Sequence, residues 1–209
     1  MAESIIHLRV AIDAITPLQD RCRGRLDAFV GGNLMMYYEE GNPRRYVSPD
    51  LFVTLGVPSE PPRPIWKVWE EGKLADFVLE VTSKTTRGND EGPKKRLYQR
   101  VEVCEYWQFD PTGDYLNPKL KGQRLRPDGQ YAPIALDEFE KGLLGRSSVL
   151  GLELRLEGDR LRFFDPNAGK YLLTSAEKSL AMAELDRDRL AAEQRIAELE
   201  RRLADLSPD

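Results

Sequence analysis

A glutamate stands in the middle of an apolar run at Phe77-Val78-Leu79-Glu80-Val81, and an aspartate opens a second run at Asp50-Leu51-Phe52-Val53. Short runs that are apolar on both faces are strands buried in a sheet with helices packed on it. A carboxylate carried into such a place is costly unless a cation or hydrogen-bond donors meet it. Glu80 therefore demands a metal, a lysine or backbone amides. On a strand, Asp76, Val78, Glu80, Thr82 and Lys84 point one way, while Phe77, Leu79 and Val81 point the other. Asp76 and Lys84 share Glu80's face.

The next segment supplies a cation. Gly88-Asn89-Asp90-Glu91-Gly92-Pro93 reads as a helix start, with Asp or Asn as cap and Pro93 in the first turn, where its missing amide hydrogen is harmless. The helix is predicted to run to about Arg100 or Val103. Lys94 then lies near the positive end of the helix, unfavourable by about 0.3 to 1 kcal/mol, so an anion nearby is expected to hold it. Tyr98, four residues on, shares its face and can support it. Glu105-Tyr106-Trp107-Gln108-Phe109-Asp110, broken by Pro111, reads as a further strand.

Before this block, apolar residues at 5, 8, 12 and 15 predict a helix that Pro17 closes, with a second helical piece over 18–26. Gly31-Gly32-Asn33 between two apolar runs predicts a tight hairpin. Asp27, at its mouth, is either a third acid for the site or a surface aspartate. Residues 58–64 include four prolines, cannot pair in a sheet, and form a loop that is expected to cross the face of the site. Downstream, short strands over 122–125, 131–134, 152–156 and 161–164 complete the fold and carry no evident chemistry.

Residues 175–209 differ in kind. Met182, Arg189, Ile196 and Leu203 fall at one heptad position and Leu185, Ala192, Leu199 and Leu206 at another. This reads as a short coiled coil that makes a homodimer through residues 175–206, or as an amphipathic helix lying on its own domain; dimerisation is favoured. Arg189 in the seam weakens pairing, yet a polar seam residue also sets register.

The formal charge is −4 over 209 residues, but its distribution matters more than its sum. Residues 175–209 carry six basic against nine acidic side chains, leaving the remainder nearly neutral. Between Lys84 and Arg100 there are six basic against two acidic residues, a stripe able to hold phosphates or simply a solvated helix face. No apolar run approaches the roughly 20 residues that span a bilayer. Two distant cysteines and no secretory pattern over residues 1–8 suit a reduced, cytoplasmic protein. His7 is the lone histidine, so Ser-His-Asp, Cys-His and histidine-rich metal chemistry lack support. No phosphate loop or dinucleotide fingerprint is present. Carboxylate, lysine and hydroxyl chemistry remain, and oxygen ligands favour Mg²⁺ or Mn²⁺.

Asp50 after Pro49, Glu80 in Phe-Val-Leu-Glu-Val-Thr-Ser, Lys94 between Asp90 and Tyr98, and Glu105-Tyr106-Trp107 before Phe109-Asp110-Pro111 together resemble the Uma2 family of restriction-endonuclease-like proteins, grouped with the PD-(D/E)XK nuclease superfamily. The resemblance is clearest over residues 27–111. It implies an α/β (α+β) fold, a restriction-endonuclease-like core with a central mixed sheet flanked by helices over residues 1–174, followed by the coiled-coil helix of 175–209. Asp50 matches the first family aspartate and Glu80 the glutamate of the next strand. Thr82 stands where the superfamily pattern has lysine. Lys94 matches a helical lysine that takes its place, with Lys84 in reserve, and Asp27 is the nearest offering for an early-helix acid.

The implied activity is metal-assisted hydrolysis of nucleic acid, DNA in the first place. Asp50, Glu80 and the Val81 carbonyl would hold Mg²⁺ or Mn²⁺, while Lys94 orients water or stabilises charge growing on phosphate. Two readings from other classes stand beside it: an inactive nuclease fold that binds nucleic acid or protein, and a coiled-coil adaptor.

Overall fold

A computed structural model describes residues 5–205. The chain opens with helix α1 (Ile5–Cys22), then strands β1 (Ala28–Gly31), β2 (Met36–Tyr37), β3 (Tyr46–Val47), β4 (Leu51–Leu55) and β5 (Trp66–Lys67). A single turn α2 (Val68–Glu71) leads to β6 (Phe77–Val81). Next comes a crossover of α3 (Arg87–Asn89), a π-helical turn over Asp90–Lys94, and α4 (Lys95–Arg100). Strands β7 (Glu105–Phe109), β8 (Leu120–Leu125), β9 (Tyr131–Pro133), β10 (Leu136–Phe139), β11 (Gly142–Ser147), β12 (Leu152–Glu157), β13 (Arg160–Asp165) and β14 (Lys170–Tyr171) follow. Helix α5 (Ser175–Asp205) ends the described chain, which parts into two compact units after Leu172.

The central sheet is mixed, in the order β1-β4-β6-β7-β8-β9, with β6 and β7 parallel and the other neighbours antiparallel. A parallel pair needs a crossover, and the helical segment between β6 and β7 is that connection. One face of this sheet, through Leu51, Phe77, Leu79 and Trp107, packs against α1 and the five-stranded sheet β10-β11-β12-β13-β14. The other face, through Phe52, Val78 and Tyr106, packs against Tyr98 and the small sheet β3-β2-β5. Glu80 is on this second face, beneath the crossover, as the strand alternation predicts.

Four expectations need correction. Helix α1 runs unbroken through Pro17, which is buried inside it. A proline within a helix costs roughly 3 kcal/mol, and here the burial of its neighbours on the sheet opposes that cost. The buried stripe is His7, Ala11, Ala14 and Leu18, whereas Ile5, Leu8 and Ile12 are 79%, 48% and 46% exposed. Small alanines let the helix approach the sheet, and the larger side chains turn outward. The hairpin at Gly31-Gly32 does not form either. β1 pairs with β4, and β2 joins another sheet. Gly32 serves close packing: a Cβ there would lie 2.3 Å from the Asp50 carbonyl oxygen and 2.4 Å from Ile15 Cδ1.

Helical geometry begins at Arg87, earlier than Asp90, and Asp90 is a buried residue of the π turn instead of the N-cap. Pro93 sits inside that turn, whose wider winding removes the need for its missing hydrogen-bond donor. Finally, the proline-rich loop does not line the site cavity. It is held elsewhere by Arg63, which lies 5.0 Å over the Phe29 ring and 5.4 Å over Trp66 and pairs with Glu71.

The two large sheets are joined by a buried carboxylate. Glu105 Oε1 accepts hydrogen bonds from Arg124 Nη2 at 2.9 Å and from the Ser148 amide and hydroxyl at 2.8 Å each; Oε2 accepts one from Trp107 Nε1 at 3.1 Å. Burial alone would raise this carboxyl, but the donors from Ser147, Trp107 and Ser148 hold it below its usual value. Glu105→Ala leaves the buried Trp107 Nε1 without its acceptor, opens a gap between the sheets and turns Arg124 and Ser148 back to water. It is expected to lower stability by about 1–3 kcal/mol, measured as a shift in the urea midpoint at unchanged slope; a loss within experimental error would contradict this role.

Candidate active site

The site forms where the start of β4 meets the end of β6. Because these strands are antiparallel with Leu51 opposite Leu79, Asp50 arrives beside Glu80 and Val81. This is also the carboxyl end of the parallel β6–β7 pair, the place where α/β sheets open crevices for ligands. A cavity of about 470 Å³ lies there. Its walls include His7, Asn33, Asp50, Thr82, Lys84 and Lys94.

Asp50 is buried, accepts the Val81 amide hydrogen at Oδ2 (2.7 Å), and meets His7 Nε2 at Oδ1 (2.9 Å). Glu80, 1% exposed, accepts from Lys94 Nζ at 2.8 Å and from the Tyr98 hydroxyl at 2.5 Å. The spacing of Lys94 and Tyr98, one helical turn apart, presents both donors to the two oxygens of one carboxylate. Lys94 also stands 3.4 Å from Asp90, one turn earlier. Asp90 is fully buried, and its nearest groups, Thr86 and Lys94, make no well-formed hydrogen bond to its carboxylate. Tyr106 fastens the π turn from below, donating to the Asp90 carbonyl oxygen at 2.9 Å while its ring packs on Tyr98.

The electrostatics follow from burial. Desolvation pushes the Glu80 carboxyl up to about 8 against the pull of Lys94, and Asp50 and Asp90 add to the rise. Desolvation likewise raises Asp90. For Lys94 burial acts downward, but Glu80 and Asp90 together outweigh it and hold the ammonium above its usual value. Lys94 is thus a fixed cation among three acids, and protons or further cations must balance the remaining negative charge.

Of the residues named from sequence, Asp50, Glu80, Lys94 and Tyr98 converge here, Val81 gives its amide to Asp50, and Lys84 lines the cavity from the turn after β6. Two others are not brought in. Asp27 is a solvent-exposed partner of Arg25 at 2.9 Å, since β1 enters the sheet from the opposite end. Asp76 precedes β6 at that same end, where it accepts the Leu55 amide at 2.7 Å and pairs with Lys73. Sharing a face with Glu80 did not bring it close, because four residues of strand span about 13 Å.

His7 and Asp90 are the additions that the sequence reading missed. Asp90 had a readable signal, its spacing of four from Lys94. His7 had one in the helical series 7, 11, 14 and 18, the stripe that proves buried.

The donor set suits a hard divalent ion. Among the described residues no three His, Cys, Asp or Glu side chains are already closed around one point as a metal cage. The chemistry nevertheless fits: oxygen donors predominate, the acids outnumber Lys94, and both Asp90 and the buried Thr82 hydroxyl lack hydrogen-bond partners among the described residues.

The family model described as "Uma2: Putative restriction endonuclease" matches residues 1–157. Among solved structures, a putative nuclease belonging to DUF820 from Anabaena variabilis ATCC 29413 is similar at 12% identity, with a TM-score of 0.45, over 66% of this chain and 74% of that one. No curated protein is significantly similar to the chain.

Proposed function

The chain belongs to the Uma2 family of putative restriction endonucleases, and from that premise we propose that it is an endonuclease hydrolysing phosphodiester bonds of DNA with Mg²⁺ or Mn²⁺. The observation that carries this reading is that Asp50 and Lys94 line one cavity with Glu80 buried directly behind Lys94, so that more buried carboxylate gathers there than Lys94 alone balances. Asp50, Glu80 and the Val81 carbonyl would hold the ion, which supplies a polarised phosphate and an acidified water.

The protein's own groups do the rest. Lys94, kept protonated by its acid neighbours, sets a positive charge at the cavity wall where charge grows on a phosphate oxygen. Tyr98 fixes the Glu80 carboxylate in one orientation, and the Val81 amide does the same for Asp50. Lys84, Thr85 and Thr86 offer donors at the cavity mouth for the flanking backbone. In the same reading the enzyme works in the cytoplasm as a homodimer through residues 175–206. No helix of the described residues is long and apolar enough to cross a membrane.

The test is cleavage of supercoiled DNA, single-stranded DNA and RNA with Mg²⁺, Mn²⁺ or EDTA, comparing the parent with Asp50→Ala and Lys94→Ala. Metal-dependent cutting of DNA that both folded variants lose by at least about 10²-fold is the expected result. Tight binding that ignores metal, with no cutting, would instead identify a binding module.

A further inference from the structure

Helix α5 leaves Met182, Leu185, Ile196, Leu199 and Leu203 between 54% and 68% exposed, all at the two seam positions of its heptads. Given the homodimer proposed above, on which this rests, we infer that a second copy of this chain packs along α5 parallel and in register, and that Arg189 selects this arrangement.

The argument is one of charge complementarity. Taking Met182 as position a, the e positions are Asp186, Glu193 and Glu200, and the g positions include Asp188, Arg195 and Arg202. In a parallel pair each g residue faces the e residue five further along on the other helix. Arg195 then meets Glu200, which attracts, and Asp188 meets Glu193, which repels. Arg189 resolves the second contact. A seam residue at a enters a hole made by the preceding d and g, and the a and following d, of the other helix; here these are Leu185, Asp188, Arg189 and Ala192. Ala192 is small enough to leave room for the arginine stem. The guanidinium emerges between Asp188 of the opposite helix and its own Glu193, which it already holds at 2.9 Å in the isolated helix. Two arginines thus lie among four carboxylates in one layer.

An antiparallel pair matched along the whole seam fares worse. It places e against e and g against g, so Asp186 faces Glu200, Glu193 faces its own copy, and Arg195 faces its own copy; only Asp188 with Arg202 attracts. Arg189 then stands opposite Leu199, with the other helix's Glu200 beside it, so it is the contacts of Asp186 with Glu200, of Glu193 with its copy and of Arg195 with its copy that disfavour this pair. The two nuclease units of the parallel dimer join the coil at the same end, because each unit ends at Leu172 and its chain enters α5 at Ser175.

Disulfide trapping in the full-length chain tests this, with the free cysteines replaced (Cys22→Ser, Cys104→Ser). Leu185→Cys alone and Leu203→Cys alone are each expected to give covalent dimers on oxidation. A covalent species formed only when the two variants are mixed would establish the antiparallel pair and overturn the proposal. Sedimentation of the parent as a monomer at tens of micromolar, with no trapping, would overturn it together with the dimer. Arg189→Glu, which brings the layer from four acids to six and removes both cations, is expected to weaken association at least about 100-fold, and Arg189→Lys to restore most of it. Unchanged association of Arg189→Glu would remove Arg189 from its assigned part. Cleavage enters neither readout, so a parallel dimer that never cuts DNA refutes the nuclease reading alone.

Discussion

Glu80→Gln is expected to reduce metal-dependent cleavage at least about 10³-fold while the protein stays folded. Glutamine keeps the shape of the side chain and can still accept from Tyr98, which donates to Glu80 at 2.5 Å. What it loses is the capacity to become a carboxylate. The same variant carries a second signature, independent of cutting. The folded Glu80 carboxyl titrates near 8 against an ordinary 4.5, chiefly because it is desolvated. Between those values the folded state holds a proton that the unfolded chain has released. The stability from this uptake is therefore complete below about pH 4.5 and is lost as pH rises through about 8. Thermal unfolding in EDTA from pH 5 to 9 should show the parent losing more stability than Glu80→Gln as the pH rises. Equal cutting by the two proteins would remove Glu80 from the site, and parallel stability profiles would contradict the electrostatics given for it.

Gly32→Ala is expected to be nearly as damaging by a different route. The added methyl would meet the Asp50 carbonyl oxygen at 2.3 Å and Ile15 at 2.4 Å. The first contact is with backbone that cannot swing aside, and Asn33 binds the adjacent Pro49 carbonyl at 2.8 Å, so the segment has little freedom to yield. A loss of about 3 kcal/mol is expected, and because the displaced residue is Asp50, cleavage should fall in the fraction that remains folded. Gly88→Ala is the control. Nothing lies within 4 Å of a Cβ there, and the position is helical, so its stability should hold or rise by up to about 1 kcal/mol. Chemical denaturation of the three proteins, paired with cleavage at a temperature where all are folded, separates the two effects. A Gly32→Ala variant as stable as its parent would show that the loop does relax.

What was legible in the sequence was mostly local. Alternation along residues 76–84 gives Glu80 its face, and one helical turn puts Lys94 and Tyr98 on one side of the helix; that the side meets Glu80 is seen only in the structure. The pairing of Asp50 with Glu80 came from family resemblance, since nothing within either strand announces its neighbour. Non-local matters were misread. The hairpin failed because glycine is chosen both for turns and for close approach, and Gly32 is the second kind. The face that α1 buries is not the one its largest apolar residues mark, because alanines are what allow a helix to sit close on a sheet. Asp90 was read as a cap because a proline three residues on suggests a first turn, and only the π turn carries the chain past it. Of the sheet β10-β11-β12-β13-β14 the alternation announces only β12 and β13; β10, β11 and β14 carry no comparable signal, and the predicted strands over 122–125 and 131–134 are β8 and β9 of the central sheet.

The crossover between β6 and β7 also bears on how this chain is made in a cell. Asp50 and Glu80 leave the ribosome well before β7, yet the π turn that presents Lys94 is pinned from Tyr106, and the far wall of the cavity comes from Pro111, Thr112 and Tyr115. A nascent chain that has not yet emerged to Tyr115 cannot assemble the centre, however well its first strands pair. Synthesis itself thereby delays completion of the centre until the residues through Tyr115 have been translated.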